Sequence, residues 1–438
     1  MKVMKFGGTS VGKPERMKQV ANLVMADNEK KIVVLSALSG TTNALVSISN
    51  LISNNNRQLA LTRIKELQDH YYQFIDELME KPGFIEKARK QVEEHFEFLE
   101  IILRISFSEA LHKDILAQGE LLSTKLFSLY LEENQIAHKL LPALEFMMLD
   151  KFDEPQLATI KLKLNQLLDQ YPDMNVFVTQ GYITRNARGE VDNLKRGGSD
   201  YSASLMAAVL QASVCEIWTD IDGMHNNDPR IVENTKPVEQ LSFNEAAELA
   251  YFGAKILHPA SIWPAQAHNV AVKLLNTMEP LAKGTLITAD AGSEGAKAIA
   301  AKDNITAIKI ISSRMLLAYG FLRKVFEVFE KYRTSIDMIT TSEVAVSVTI
   351  DNDSFLKEIV SELEAYGRVK IDRDQTIVSI VGNEINITEN ILSRVFQATS
   401  TVPVRMISYG GSSHNISLLI PQAYKVQALR ALHSSLFF

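Results

Sequence analysis

Cysteine is almost absent from the chain: one residue, Cys215, in 438. No intrachain disulfide can be built from it, and in Ala212-Ser213-Val214-Cys215-Glu216-Ile217-Trp218 it reads as a small hydrophobe on the approach to a buried strand. Long apolar runs are missing too. Nothing approaches the roughly 20 residues that a membrane-spanning helix needs, and no apolar stretch with a cleavage site follows Met1-Lys2-Val3-Met4-Lys5-Phe6. A cytoplasmic protein with no membrane partner is expected. Basic excess is lacking: 46 Lys and Arg stand against 52 Asp and Glu, a net charge of -6, which weighs against a nucleic-acid partner. The 9 histidines are scattered and none has a partner at Cys/His metal spacing, so no directly ligated metal of that type is expected. There is no G-x-S-x-G elbow, no G-x-x-x-x-G-K-[ST] loop and no strand-linked G-x-G-x-x-G. Those absences set aside a serine hydrolase of that type, a Walker-type nucleotide site and a dinucleotide-dependent oxidoreductase.

What is present is a soluble globular composition, 46% hydrophobic and 22% charged, in a chain long enough for two or three domains. Apolar strands recur, each ending in small residues. Val3-Met4-Lys5-Phe6 runs into Gly7-Gly8-Thr9-Ser10 before a helix from about Pro14. Lys31–Ser36 ends in the loop 36–43, with a helix from about Ala44, and Val176–Ile183 runs through Gly181. Lys195-Arg196-Gly197-Gly198-Ser199-Asp200 opens an Ala/Leu-rich helix over 202–212. Ile217–Thr219 leads into Asp220-Ile221-Asp222-Gly223. Alternating strands and helices predict an α/β fold with a mostly parallel sheet covered on both faces, and ligands of such sheets bind beyond the carboxyl ends of the strands. Residues 55–135 are helical in period, broken at Pro82-Gly83, with Tyr71, Phe74, Ile75 and Leu78 as a packing stripe. Residues 284–304 read as a boundary or linker. Beyond them, strands at 307–311, 344–350, 376–382, 404–408 and 415–420 and helices at 320–332, 353–366 and 388–398 suggest two ferredoxin-like βαββαβ units.

Each glycine turn has a chemical and a plain reading. Lys5 with Gly7-Gly8 offers a full charge and backbone N–H groups to a phosphate at a helix N-terminus, or makes a simple turn. Arg196 can pair bidentately with a carboxylate, and Asp200 can organise lysines or cap its helix. Thr219-Asp220 and Asp228-Pro229-Arg230 can hold a nucleotide or form turns. Lys255 and His258, in Phe252-Gly253-Ala254-Lys255-Ile256-Leu257-His258-Pro259, read locally as a solvated lysine and a structural histidine, and Glu120 as one more surface carboxylate.

Taken together, Lys5-Phe6-Gly7-Gly8-Thr9-Ser10-Val11, Leu35-Ser36-Ala37 with Gly40-Thr41-Thr42-Asn43, Gly119-Glu120, Arg196-Gly197-Gly198-Ser199-Asp200-Tyr201, Trp218-Thr219-Asp220, Asp228-Pro229-Arg230 and Phe252-Gly253-Ala254-Lys255 resemble the aspartokinases of the amino-acid kinase family. Ile339-Thr340-Thr341-Ser342-Glu343 and Gly410-Gly411-Ser412-Ser413-His414-Asn415 resemble the paired ACT domains of the monofunctional, lysine-sensitive type. The resemblance implies a three-layer αβα kinase domain over 1–295 and ACT domains over 296–375 and 376–438, with the strand near 305–311 completing the second. It implies an ATP- and Mg²⁺-dependent kinase that makes 4-phospho-L-aspartate, the first step toward lysine, threonine and methionine. Lys5, Asp200 and Lys255 would be catalytic, and Ser36, Thr42, Glu120, Arg196 and Ser199 would bind L-aspartate. Lys5, Gly7, Gly8, Thr219, Asp220, His225, Asp228, Arg230 and Lys255 would bind ATP. Mg²⁺ would be held by ATP phosphates and water, with Asp200 at hand. Met315, Ser335, Ile336 and Asp337 would contact an amino-acid effector, lysine first, in a homodimer or larger homo-oligomer joined through the ACT domains. The chain departs from the family pattern at His225, which stands at a tyrosine position, at Lys195, which replaces a glycine, and at Ala318, which replaces a serine. A kinase for glutamate or acetylglutamate and a silent amino-acid-binding subunit are the competing readings.

Overall fold

Strand β1 (Lys2–Phe6) is buried along its whole length and neighbours two other fully or largely buried strands, which is why its sequence is apolar apart from lysines. The structure is a computed structural model that describes residues 1–194, 197–253, 257–290, 292–312 and 319–438. The chain forms two compact units: Met1–Met224 with Leu257–Ala289, and His225–Ile256 with Asp290–Phe438.

In the first unit β1 is followed by α1 (Gly8–Val11), α2 (Pro14–Val24), β2 (Lys31–Leu35), α3 (Thr41–Ser53), α4 (Arg57–Leu78), α5 (Pro82–Ile102) and α6 (Glu109–Glu133). Then come β3 (Lys139–Leu141), α7 (Ala143–Phe146), α8 (Leu157–Asp169), β4 (Val176–Gln180), β5 (Ile183–Arg185), β6 (Val191–Asn193), α9 (Gly198–Leu210) and β7 (Cys215–Thr219). β8 (Gln240–Ser242) and α10 (Phe243–Tyr251) belong to the second unit, and the first resumes with α11 (Trp263–Ala267), β9 (Val272–Asn276) and β10 (Thr285–Thr288). Strands of this unit are ordered β3-β4-β2-β1-β7-β9-β10, all parallel except β10. Pro82, expected as a helix break, opens α5, where its fixed φ suits a first turn. Tyr71, Phe74, Ile75 and Leu78 lie buried in one core with Phe96 of α5 and Phe127 of α6, as their spacing predicts. Cys215 is buried and free.

The second unit continues with β11 (Gly295–Ile311), α12 (Phe321–Lys331), β12 (Ile339–Ser342), β13 (Ala345–Ile350), α13 (Leu356–Leu363), β14 (Arg368–Asn383), α14 (Ile391–Ala398), β15 (Met406–Ser408), β16 (Asn415–Pro421) and α15 (Lys425–Phe437). Its antiparallel six-stranded sheet is ordered β12-β13-β11-β14-β16-β15. Two long strands span both ferredoxin-like halves, and this corrects the expected exchange. Residues 305–311 pair with β13 and with 368–375, so they complete the first half. The segment 295–302 pairs with 377–383, which in turn pairs with β16, so it completes the second half. Its Ala- and Lys-rich composition reads as a linker because it holds a single β-branched residue, Ile299, and alanine and lysine favour strands little. Each half has a separate core, Ile308, Val325, Val348 and Ile359 in one and Val378, Val395, Leu418 and Leu432 in the other. Among the described residues no helix is long and apolar enough to cross a membrane.

Candidate active site

Register brings the glycine turns of the first unit to one level. Phe6 lies opposite Leu35 on β2 and Trp218 on β7, and Leu35 lies opposite Gln180 on β4. The next residues of each strand keep the ladder going: Gly7 N–H donates to the Trp218 carbonyl at 3.3 Å, Ser36 N–H to Phe6 at 3.2 Å and Gly181 N–H to Leu35 at 2.9 Å. Gly7-Gly8, Ser36-Ala37, Gly181-Tyr182 and Thr219-Asp220 therefore leave the sheet together. β1 sits where the strand order turns in opposite directions, the place at which open α/β sheets bind ligands.

Lys5 is a charged residue on a strand covered on both faces, which needs compensation. Asp200, in the first turn of α9, supplies it: Nζ lies 2.5 Å from Oδ1, with both side chains more than four-fifths buried. A Cβ at Gly7 would stand 3.3 Å from the lysine nitrogen, so the amine lies along the Gly7 backbone. A cation and a glycine turn thus share one spot, an arrangement suited to a phosphoryl group.

The turn into α9 takes a backbone conformation that glycine adopts without strain. Gly197 and Gly198 have φ of +65° and +49°, left-handed in tandem, and place Ser199 and Asp200 over the strand ends. Gly181 allows the approach, because a Cβ there would lie 2.4 Å from Ser199. Ser199 then accepts a hydrogen bond from Ser36 Oγ at 2.9 Å, and the Ser36 carbonyl accepts one from Ser123 on α6 at 2.7 Å.

Glu120 corrects its local reading as a surface group. It is 3% exposed on α6; Ala37 N–H donates to its Oε1 at 3.3 Å, while Oε2 has no partner among the described residues. Burial, only partly offset by backbone hydrogen bonds, pushes its carboxyl up to about 8. A buried carboxylate with a free oxygen is suited to an incoming ammonium. Tyr182 is a neighbour that sequence reasoning missed. Burial and the nearby Glu120 raise its phenol, and it holds a φ of +64° that is rare outside glycine. No residue pattern signals that conformation. Contacts now run without a gap from Glu120 through Ala37, Ser36, Ser199, Asp200 and Lys5 to Gly7.

The remaining expected residues fall in three groups. Thr42 is half-buried in the first turn of α3, and Thr219 donates to the exposed Asp220 at 3.1 Å beyond β7. His225, Asp228 and Arg230 lie in the second unit. There His225 Nδ1 meets Thr235 at 2.9 Å, and Arg230 grips Asp228 through Nε and Nη2 at 2.9 and 2.8 Å. That grip holds the Asp228 carboxyl below its ordinary range. Ser335 is exposed, Ile336 packs on the first ferredoxin-like core, and the Asp337 carboxylate is buried. Arg196, Lys255 and Met315, with Lys195 and Ala318, lie outside the described residues. His258 caps its turn by accepting the Ala260 N–H at 3.2 Å, a structural role as read. Among the described residues no group of three His, Cys, Asp or Glu could hold a metal.

A mostly parallel sheet with a buried lysine and glycine turns at its switch point is the arrangement of a phosphoryl-transfer enzyme. Residues 1–276 match the amino acid kinase family and residues 378–436 an ACT domain. The chain is 35% identical to the lysine-sensitive aspartokinase 3 of Escherichia coli over 99% of both chains. It is 37% identical to the chloroplastic aspartokinase 3 of Arabidopsis thaliana, over 99% of this chain and 81% of the plant protein. Crystal structures of E. coli aspartokinase III with aspartate and ADP, in the R-state, and with lysine and aspartate, in the T-state, each superpose over all of both chains with a TM-score of 0.83, at 33% and 34% identity. The chain belongs to the aspartokinases of the amino acid kinase family.

Proposed function

We propose that the enzyme transfers the γ-phosphoryl group of ATP to the side-chain carboxylate of L-aspartate, giving ADP and 4-phospho-L-aspartate, the entry step to lysine, threonine and methionine. The carrying observation is the contact chain from Glu120 to Gly7, which has a buried carboxylate at one end and a lysine beside a glycine turn at the other.

The acceptor carboxylate is ionised at neutral pH, so no general base is needed. Its oxygen forms the new bond to the γ-phosphorus as the bond to the β,γ-bridging oxygen breaks. Lys5 and the Gly7-Gly8 backbone face the charge that spreads over the phosphoryl oxygens, and Asp200 holds Lys5 in place. Ser36, Thr42 and Ser199 position the substrate, Glu120 receives its ammonium and Arg196 its α-carboxylate. Thr219, Asp220, His225, Asp228, Arg230 and Lys255 serve the nucleotide. Bound Mg²⁺ supplies charge neutralisation on the phosphates. It would be held mostly by those phosphates and water, and Asp200 is the carboxylate beside the reacting lysine that suits it.

Residues 1 to about 295 are read as the kinase domain and the rest as two ACT domains that form a homodimer and sense an amino acid, lysine first. The E. coli relative that carries lysine in its T-state supports this assignment. ADP release on adding Mg-ATP with aspartate tests the activity. Release with glutamate in place of aspartate would overturn the substrate assignment, and no release with either would overturn the kinase reading. The hydroxamate assay repeated with lysine, threonine and methionine identifies the effector.

A further inference from the structure

Helix α10 ends in Tyr251, one residue before Phe252-Gly253 and four before Lys255, and its polar side chains reach both ferredoxin-like halves of the second unit. Tyr251 O–H donates to Asp337 Oδ1 at 2.7 Å. Glu248 accepts from Ser412 at 3.1 Å and from Asn415 at 2.5 Å. The chain after Tyr251 rests on β11: a Cβ at Gly253, which has a φ of +121°, would lie 2.2 Å from the Ala301 carbonyl. The adjacent Lys302 stands over the Tyr251 ring, 4.4 Å from its centroid.

Asp337 is the centre of this cluster. Its side chain is 1% exposed, Lys302 Nζ lies 2.8 Å from its Oδ1 and also 2.8 Å from Asp351, and its Oδ2 has no partner among the described residues. Burial pulls Lys302 down, but Asp337 and Asp351 together hold it above the ordinary lysine range, so it stays charged. Two carboxylates against one ammonium leave the cluster one positive charge short, and the deficit lies next to a free, buried carboxylate oxygen. One further ammonium group fits that deficit at Oδ2, and its charge there weakens Asp337 as an acceptor for the Tyr251 hydroxyl at Oδ1.

Resting on the reading that Asp337 is an effector contact, we propose that Tyr251 is the positioning residue through which an amino-acid ammonium at Asp337 alters the placement of Phe252-Gly253 at the end of α10 and hence nucleotide affinity. The hydroxyl joins the effector carboxylate to the end of α10, from which the chain runs toward that segment. A change in what Asp337 binds is passed to α10 as a strengthened or weakened hydrogen bond. Lys302 takes part in the same cluster from the β11 side.

The test is linkage between lysine and ADP binding to the full-length protein, measured by calorimetry, in wild type and Tyr251→Phe. The substitution removes only an oxygen from a side chain that is 42% exposed, so the fold should survive it. In wild type, saturating lysine is expected to change the ADP Kd by about 5-fold or more, the lower range of allosteric coupling. In Tyr251→Phe lysine should bind within about 3-fold of wild type, and the ADP Kd should no longer respond. An unchanged response in Tyr251→Phe overturns the relay while leaving the sensor intact. Loss of lysine binding in Tyr251→Phe also overturns it, because Tyr251 would then be part of the ligand site. If neither lysine, threonine nor methionine binds the wild type, the effector reading falls and the relay with it. The readout is binding, so an enzyme that failed to phosphorylate aspartate would sink the substrate assignment without touching this one.

Discussion

Two buried carboxylates, one in each unit, are solved in opposite ways. Glu120 is enclosed with a single backbone donor and an idle oxygen, and burial raises its carboxyl to about 8. Asp337 is enclosed with a phenol and a lysine already at one oxygen. The first site carries a desolvation cost, and under the proposed function the substrate ammonium relieves it. The second site has its cost met by internal groups at one oxygen only, so a ligand acts there by changing contacts that already exist, which is how a contact becomes a switch. Asp200 resembles Asp337 in having a lysine partner, yet the proposed function sets that lysine at the transferring phosphate and so assigns the pair to catalysis.

The largest break in this comparison is expected at Lys5. Lys5→Met should lower kcat by about 100- to 1,000-fold, the usual cost of removing one group that meets developing charge, with the aspartate KM changed far less. A loss below about 3-fold would show that the paired lysine is structural and that the two paired carboxylates do not differ in kind.

Glu120→Gln sharpens the comparison from the substrate side. Losing a charge-assisted hydrogen bond to an ammonium should raise the aspartate KM by about 10- to 150-fold and leave the ATP KM within about 2-fold. The sign of the pH effect follows from the raised carboxyl. The ligand-free wild type holds a proton on Glu120 at neutral pH and the ammonium binds the ionised form, so the aspartate KM should fall as pH rises toward about 8. Steady-state kinetics from pH 6 to 9 check this. A profile as steep in Glu120→Gln as in wild type would assign the titration to another group.

Asp337→Asn probes the paired site. It leaves Lys302 and Tyr251 without their shared acceptor, and denaturant unfolding should show about 1–3 kcal/mol of destabilisation. A neutral result would mean that the cluster is as idle as Glu120.

Much of this was readable from residues. Gly7-Gly8 and Gly197-Gly198-Ser199-Asp200 mark strand and helix ends because their chemistry is local: a turn, a close approach, a left-handed φ. Lys5 could be read because a lysine inside an apolar strand has to be explained. Glu120 could not, since its one backbone donor, Ala37, lies 83 positions away. Tyr182 and Tyr251 were silent for the same reason, one defined by a backbone dihedral and the other by a partner 86 residues on. The first half of β11 was lost because alanines and lysines carry little strand signal, and only its pairing with β14 makes it a strand.

The smallest effect is the most discriminating, because it reverses the sign expected of a site mutation. A group whose folded pKa is raised contributes stability that is complete below its ordinary value and is lost as pH climbs through the raised one. Glu120 therefore costs the ligand-free protein more at pH 8–9 than at pH 5. Glu120→Gln, which keeps shape and removes charge, should stabilise the ligand-free protein at pH 8–9 by about 0.5–2 kcal/mol, the range typical of relieving a strained functional site, and the gain should shrink toward pH 5. Thermal melts at the two pH values decide it. A gain at Glu120 beside a loss at Asp337→Asn is the signature of one carboxylate kept waiting and one kept occupied. Losses at both would mean that Glu120 is satisfied in the free enzyme and that its ammonium-binding role is wrong.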